Sequence, residues 1–131
     1  MTVTLAPMAW TLFERAPKPS KAAWLDIVNR MVNHGIDPMH GAPDVSDPWR
    51  IWPRVGWCHD YAVTKRVELL LRGYSASELL LCECLGPDGQ HHVVLLVGGV
   101  ALDNLTDQLL PMHYPVVRQQ TAENPDLWQT A

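Results

Sequence analysis

The chain has 131 residues, 47% of them hydrophobic and 18% charged, with a net charge of -4. That length suits one domain with a real core and is too short for two, while the composition and acidic balance exclude a disordered chain and a basic nucleic-acid binder. Three cysteines, Cys58, Cys82 and Cys84, are an odd set whose last two members stand too close along a strand to bridge each other, which argues for a reducing compartment over a secreted disulfide framework.

Residues 1–10 have no lysine or arginine ahead of their apolar positions and soon meet Glu14 and Arg15, so no signal peptide is expected, and no run is long enough to span a membrane. No fixed-period repeat is visible. The expectation is one cytoplasmic domain over residues 1–131, without cofactor, nucleic-acid partner or membrane contact. Residues 1–20, broken by Pro7, Pro17 and Pro19, read as an irregular arm on the domain surface.

Ser20 is placed to cap a helix over residues 21–33, in which Trp24, Ile27, Val28, Met31 and Val32 recur with helical period and form a core-facing stripe; Gly35 stops it. Residues 36–54 hold four prolines, three aspartates and two tryptophans, a long loop with little room for regular structure. Trp49, Trp52 and Trp57 lead toward Cys58, either as the wall of a substrate cleft or as pins for the loop.

Gly56 precedes Cys58 closely, and a helical pattern then runs over residues 58–72 until Gly73. Val63, Val67, Leu70 and Leu71 form its apolar face, with Ala62 and Leu69 beside them. Cys58 therefore opens a helix, where unpaired N–H groups and the helix dipole favour a thiolate. A small buried hydrophobe is the plainer reading of the same position. Residues 79–85, 91–97 and 100–104 read as strands joined by turns at 86–89 and Gly98-Gly99, an antiparallel meander, and residues 114–118 as one further strand.

A two-residue turn at Gly98-Gly99 sets Val97 opposite Val100. His92, Val94 and Leu96 then share a face with Ala101 and Asp103, and Asp103 comes within imidazole–carboxylate reach of His92, while His91 points the other way. A looser turn would substitute Asn104. A thiol, an imidazole and a carboxylate so arranged perform nucleophilic acyl chemistry: the base takes the thiol proton, the acid orients the base, and helix-start N–H groups receive the oxyanion. His59, next to Cys58 on the helix, points about 100 degrees away and is expected to tune the thiol rather than deprotonate it, or simply to face solvent. A zinc site of Cys82, Cys84, His91 and His92, with Cys58 or His59, is the rival constellation. It is awkward, because His91 and His92 project to opposite faces.

The blocks Val28-Asn29 with Val32-Asn33, Asp47-Pro48-Trp49 with Trp52-Pro53, Gly56-Trp57-Cys58-His59-Asp60-Tyr61-Ala62, His92-Val93-Val94-Leu95 and Leu102-Asp103-Asn104-Leu105 resemble, in order, the bacterial transglutaminase-like cysteine peptidases. The resemblance covers most of residues 24–105 and implies an α+β, papain-like core with a nucleophile helix on an antiparallel sheet. It also implies a thiol hydrolase acting on protein or peptide amide bonds, with Cys58 as nucleophile, His92 as base and Asp103 as orienting acid. Acyl transfer, deamidation and a non-catalytic protein-binding role are the alternatives on the same fold. The family usually carries acids on both sides of the cysteine, which help hold calcium in its periplasmic, adhesin-trimming members. Here those positions are Trp57 and His59, which leaves Asp60 alone, so no calcium site is expected and no metal is assigned. Small relatives of this kind resemble proteins of phage and prophage genomes.

Overall fold

Helix α1 (Ala23–Gly35) begins where Ser20 satisfies a free helix donor, its hydroxyl accepting the Ala23 N–H at 3.2 Å. The computed structural model describes residues 17–41, 43 and 46–130; most of the expected N-terminal arm lies outside them. Val28, Asn29 and Val32 are buried, with Trp24, Leu25 and Met31 packed alongside. Ile27, expected on the same stripe, is 38% exposed, because the buried arc is centred one residue further round the helix. Gly35 ends the helix against the Trp52 ring, where an added Cβ would come within 2.6 Å of the indole.

The long loop is strapped rather than free. A two-residue strand β1 (Asp37–Pro38) runs parallel to β2 (Val55–Gly56), and helix α2 (Cys58–Leu70) follows at once. Asp60 accepts the Arg50 N–H on Oδ1 at 2.7 Å and the Trp57 N–H on Oδ2 at 2.8 Å. One turn on, Thr64 Oγ1 accepts the Trp52 N–H at 2.9 Å, and the Trp52 indole donates to Glu68 at 3.1 Å. Residues 50–57 thus lie along α2, with the backbone donors of Arg50, Trp52 and Trp57 met by its side chains.

After a 3₁₀ turn (Ala76–Glu78), strands β3 (Leu80–Leu85), β4 (His91–Val97) and β5 (Val100–Leu102) form the expected meander. Gly98 and Gly99 take φ of 58° and 81°, the left-handed pair that a two-residue hairpin turn demands, and Val97 pairs with Val100. The fourth expected strand is displaced to β7 (Val116–Gln120), and two short strands, β6 (Leu110–Pro111) and β8 (Trp128–Thr130), complete the antiparallel order β6-β5-β4-β3-β7-β8.

One sheet face turns Leu81, Val93, Leu95, Val97 and Leu102 toward the helices; the other buries Cys82, Cys84, Val94, Leu96 and Ala101 under Met112, Tyr114 and Val116. The fold is α+β. Helix α2 departs from its expected face: Leu70 is 36% and Leu71 74% exposed, while Tyr61, Ala62, Thr64, Lys65 and Leu69 are buried. It lies between α1 and β4, and that double contact, rather than its strongest apolar stripe, decides which side faces inward.

The strap makes a prediction. A methyl group on Gly56 would stand 2.9 Å from Asp60 Cβ and Oδ2 and 3.0 Å from the Pro53 ring. Gly56→Ala is expected to lower folding stability by about 1–3 kcal/mol in urea or thermal melts, and an unchanged midpoint would show that the strap yields without cost.

Candidate active site

Cys58 is the first residue of α2 and is partly buried. Its N–H and that of His59 belong to the first helical turn, which the helix itself cannot pair. The helix starts here because the Asp60 carboxylate, three residues after Trp57, caps the Trp57 N–H. Negative charge at that point also suits the helix dipole.

His92, 6% exposed on β4, places Nε2 2.7 Å from Oδ1 of Asp103, 2% exposed just beyond β5. The register is the one that the tight Gly98-Gly99 turn requires. Asp103 is held from several sides: Tyr114 donates its hydroxyl to Oδ2 at 2.6 Å, the Leu105 N–H donates to Oδ1 at 3.1 Å, and Asn33 of α1 donates to its backbone oxygen at 3.0 Å. Burial alone would push this carboxyl upward, but the bonds from His92 and Tyr114 and the His92 charge outweigh it and hold it below the ordinary aspartate range. The imidazole shows the mirror effect. Burial opposes its charged form, yet hydrogen bonds to Asp103 and Cys58, with the charges of both, raise it to about 9. With Nε2 given to Asp103, Nδ1 is the nitrogen left for the thiol.

The structure thus sets Cys58 and His92 on one cavity, with Asp103 bonded to His92. Asn104, the alternative acid position, makes no such bond, and its Oδ1 is without a hydrogen-bond partner. Tyr114 is a part of the site that sequence reasoning missed. It stands edge-on to His92, ring centroids 5.4 Å apart, and nothing local in its segment marks it, since only the folding of the β6–β7 connection over the sheet delivers it to Asp103.

A cavity of about 410 Å³ opens over Cys58 and His92, within the range of small-ligand and peptide clefts. Of the three tryptophans expected to line it, only Trp49 does. Trp52 is directed away by its bonds to Thr64-bearing α2 and its seat on Gly35, and the ring of Trp57 turns toward Gly41. Those two pin the loop. His59, for which a solvent-facing role was one expectation, is instead buried at 6% exposure, stacked on Trp49 with centroids 5.2 Å apart and planes 10° from parallel, and it lines the cavity. Trp49 covers it because the strap carries residue 49 back over the start of α2.

Cys82 and Cys84 are fully buried in the sheet's second apolar cluster, with Val94, Leu96 and Ala101, and among the described residues no group of three or more histidine, cysteine or acidic side chains is set to hold a metal. The positions flanking Cys58 offer no oxygen ligands either: they are Trp57 and His59, and both oxygens of Asp60 are engaged by backbone amides. A hard cation such as calcium needs several free carboxylate or carbonyl oxygens, so these residues do not fit one.

A family model described as bacterial transglutaminase-like cysteine proteinase matches residues 3–131. Among solved structures, the calcium-bound form of Legionella pneumophila LapG superposes with a TM-score of 0.71 at 24% identity, covering 94% of this chain and 76% of that one. A second LapG structure matches equally, and the EGTA-treated form does so over 74% of its own chain. These likenesses show the fold. No curated protein matches the chain.

Two outcomes follow from the site. Calcium at millimolar concentration is expected to leave the melting temperature unchanged, whereas a ligand at a hundred times its dissociation constant adds about 2.7 kcal/mol; a shift reversed by chelator would show that other oxygens bind it. For His92, the folded chain keeps, between its ordinary value of 6.5 and about 9, a proton that the unfolded chain releases. Its stabilisation is therefore complete below pH 6.5 and lost as pH rises through 9. The stability advantage of the wild type over His92→Gln should shrink by roughly 1–3 kcal/mol across that window, measured by denaturant melts at half-unit pH steps.

Proposed function

The chain belongs to the bacterial transglutaminase-like cysteine proteinase family, and we propose that it is a thiol hydrolase of protein or peptide amide bonds, with Cys58 as nucleophile, His92 as general base and acid, and Asp103 as the orienting carboxylate. The observation that carries this reading is the buried His92–Asp103 bond of 2.7 Å beside a cysteine at a helix start. Its chemistry is self-consistent. Nδ1 of His92 holds the proton surrendered by the thiol, in the imidazolium form that a value of about 9 favours at neutral pH, and the thiolate beside it attacks the amide carbonyl carbon. The oxyanion of the tetrahedral intermediate lies against the unpaired N–H groups of the first turn of α2. The imidazolium then gives its proton to the departing amine, the C–N bond breaks, and a thioester remains on Cys58. Water activated by the now neutral imidazole hydrolyses that thioester and restores the thiol.

Asp103 stays ionised throughout and stabilises the imidazolium, which is how a carboxylate serves a base without taking its proton. Tyr114 acts as a positioning residue, since its bond holds Asp103 in the plane that His92 meets. An amine in place of water at the thioester would give acyl transfer, and the residues themselves do not select between the two acceptors. Three free thiols support a working location in a reducing compartment, the cytoplasm of a bacterial or phage-infected cell.

Cys58→Ser, His92→Ala and Asp103→Ala are each expected to remove turnover of a peptide library read by mass spectrometry, with double variants losing little more than the worst single one. Cys82→Ala and Cys84→Ala should retain it. Tyr114→Phe should keep measurable turnover at about a tenfold loss in kcat, with KM unchanged. Full activity in His92→Ala would remove this assignment.

A further inference from the structure

The proposed chemistry leaves open what holds the substrate beside Cys58, and Arg118 and Glu83 in the lining of the cleft bear on it. We infer that Arg118 is a carboxylate-recognising subsite of this cleft, taking an acidic side chain or a free C-terminal carboxylate of the peptide whose amide bond meets Cys58; the inference rests on the reading of Cys58 as the nucleophile.

Arg118 lies on β7 opposite Glu83 of β3, and both line the cavity over Cys58. Its Nε donates to Glu83 Oε2 at 2.8 Å and its Nη2 to Oε1 at 2.7 Å. A guanidinium has five N–H donors, so two are used, and the Nη1 edge makes no hydrogen bond among the described residues. The central carbon of the group lies over Trp128, 4.4 Å from the ring centroid, and Trp128 in turn meets Trp49 edge-on at 5.9 Å. Arg118 is therefore fixed by a fork on one side and an aromatic face on another. A guanidinium already immobilised loses little further freedom on gripping a ligand, which is the condition for recognition with useful affinity.

The charges around it point to an anion. Arg118 is 40% exposed at its side chain, Glu83 only 16%, so the member of the pair that meets solvent in the cleft is the cation. Bonds from Arg118 outweigh the burial of Glu83 and hold it below the ordinary glutamate range; it remains an ionised anchor behind the guanidinium. Among the described residues Glu83 is the one carboxylate in the lining, and the other ionisable groups there, apart from Cys58 and Arg118, are His59, His91 and His92. The guanidinium is thus a tethered cation with donors to spare. Its free edge matches a carboxylate in the two-bond geometry that arginine favours.

The test uses two small alkylating probes that differ in charge. In each, the Cys58 sulfur displaces iodide from a methylene carbon, forming an S–C bond as the C–I bond breaks; iodoacetate carries a carboxylate and iodoacetamide does not. The ratio of their second-order rates on Cys58 is measured for the wild type, Arg118→Gln and Glu83→Gln. Arg118→Gln is expected to lower the iodoacetate-to-iodoacetamide ratio about tenfold with the iodoacetamide rate retained, and Glu83→Gln, which leaves the guanidinium uncompensated, to raise it. An unchanged ratio in either variant overturns the subsite. The Glu83→Gln arm stands on its own if Arg118→Gln fails to fold. Slow iodoacetamide reaction in the wild type, no faster than a free thiol at the same pH, would instead overturn the nucleophile reading. Peptide pairs that differ by Glu against Gln, or by a C-terminal acid against its amide, then separate the two sources of the carboxylate: the preferred member of one pair should lose its advantage in Arg118→Gln, and a wild type that prefers neither overturns the inference.

Discussion

A carboxylate that is 2% exposed cannot remain ionised without partners, and the surroundings of Asp103 are organised by that requirement. His92 and Tyr114 each bond one of its oxygens, and the Leu105 amide bonds the first again. Helix α1 holds the chain behind it: Asn33 bonds the backbone oxygens of Asp103 and Thr106, and Asn29 those of Thr106 and Asp107. Two asparagines one turn apart on an otherwise apolar face are thus explained by the segment they hold. The same demand reaches α2. Lys65 is fully buried there, and although burial lowers it to about 7, the charges of Asp103 and Asp107 work in the other direction. Its amine has no hydrogen-bond partner among the described residues, so the field of those two carboxylates is what opposes its neutralisation.

A second carboxylate does the equivalent work at the other end of the site. Asp60 spends both oxygens on the amides of Arg50 and Trp57, which starts the nucleophile helix and lays the tryptophan-bearing loop along it. Gly56 is small because Asp60 occupies the space a side chain would need. An acid at this place in the motif invites a reading as a metal ligand, but here each of its oxygens holds a backbone amide around Cys58. The indole and imidazole on either side of the cysteine serve the same local architecture, His59 through its stack with Trp49.

The cleft therefore has walls of different character. One is the thiol and imidazole at the junction of helix and sheet. Another is an aromatic run from His59 through Trp49 to Trp128, and it ends on a guanidinium tied to Glu83. The run joins the start of α2, the loop, β8 and β7, so segments far apart in the chain are locked into one surface. Rigid donors on such a surface can discriminate between ligands because they do not reorganise to accommodate the wrong one.

What the sequence determined by itself follows from short-range rules. A glycine pair with both residues able to take positive φ forces a two-residue turn, the turn forces the register, and the register places His92 and Asp103 on one face of the sheet. The helix start at Cys58 is legible for the same reason: its signals lie within a few residues. Only the tertiary structure decided the rest. The inward side of α2 was chosen by contact with α1 and β4 and not by its apolar residues, strands β6 and β8 are too short to carry a period, and Tyr114, Trp128 and Arg118 reach the site through connections of no fixed local pattern. Trp49 differs from Trp52 and Trp57 in nothing the sequence displays. Their separate fates depend on which backbone amides Asp60 and Thr64 capture, and such captures exist only once the loop has folded back onto the helix.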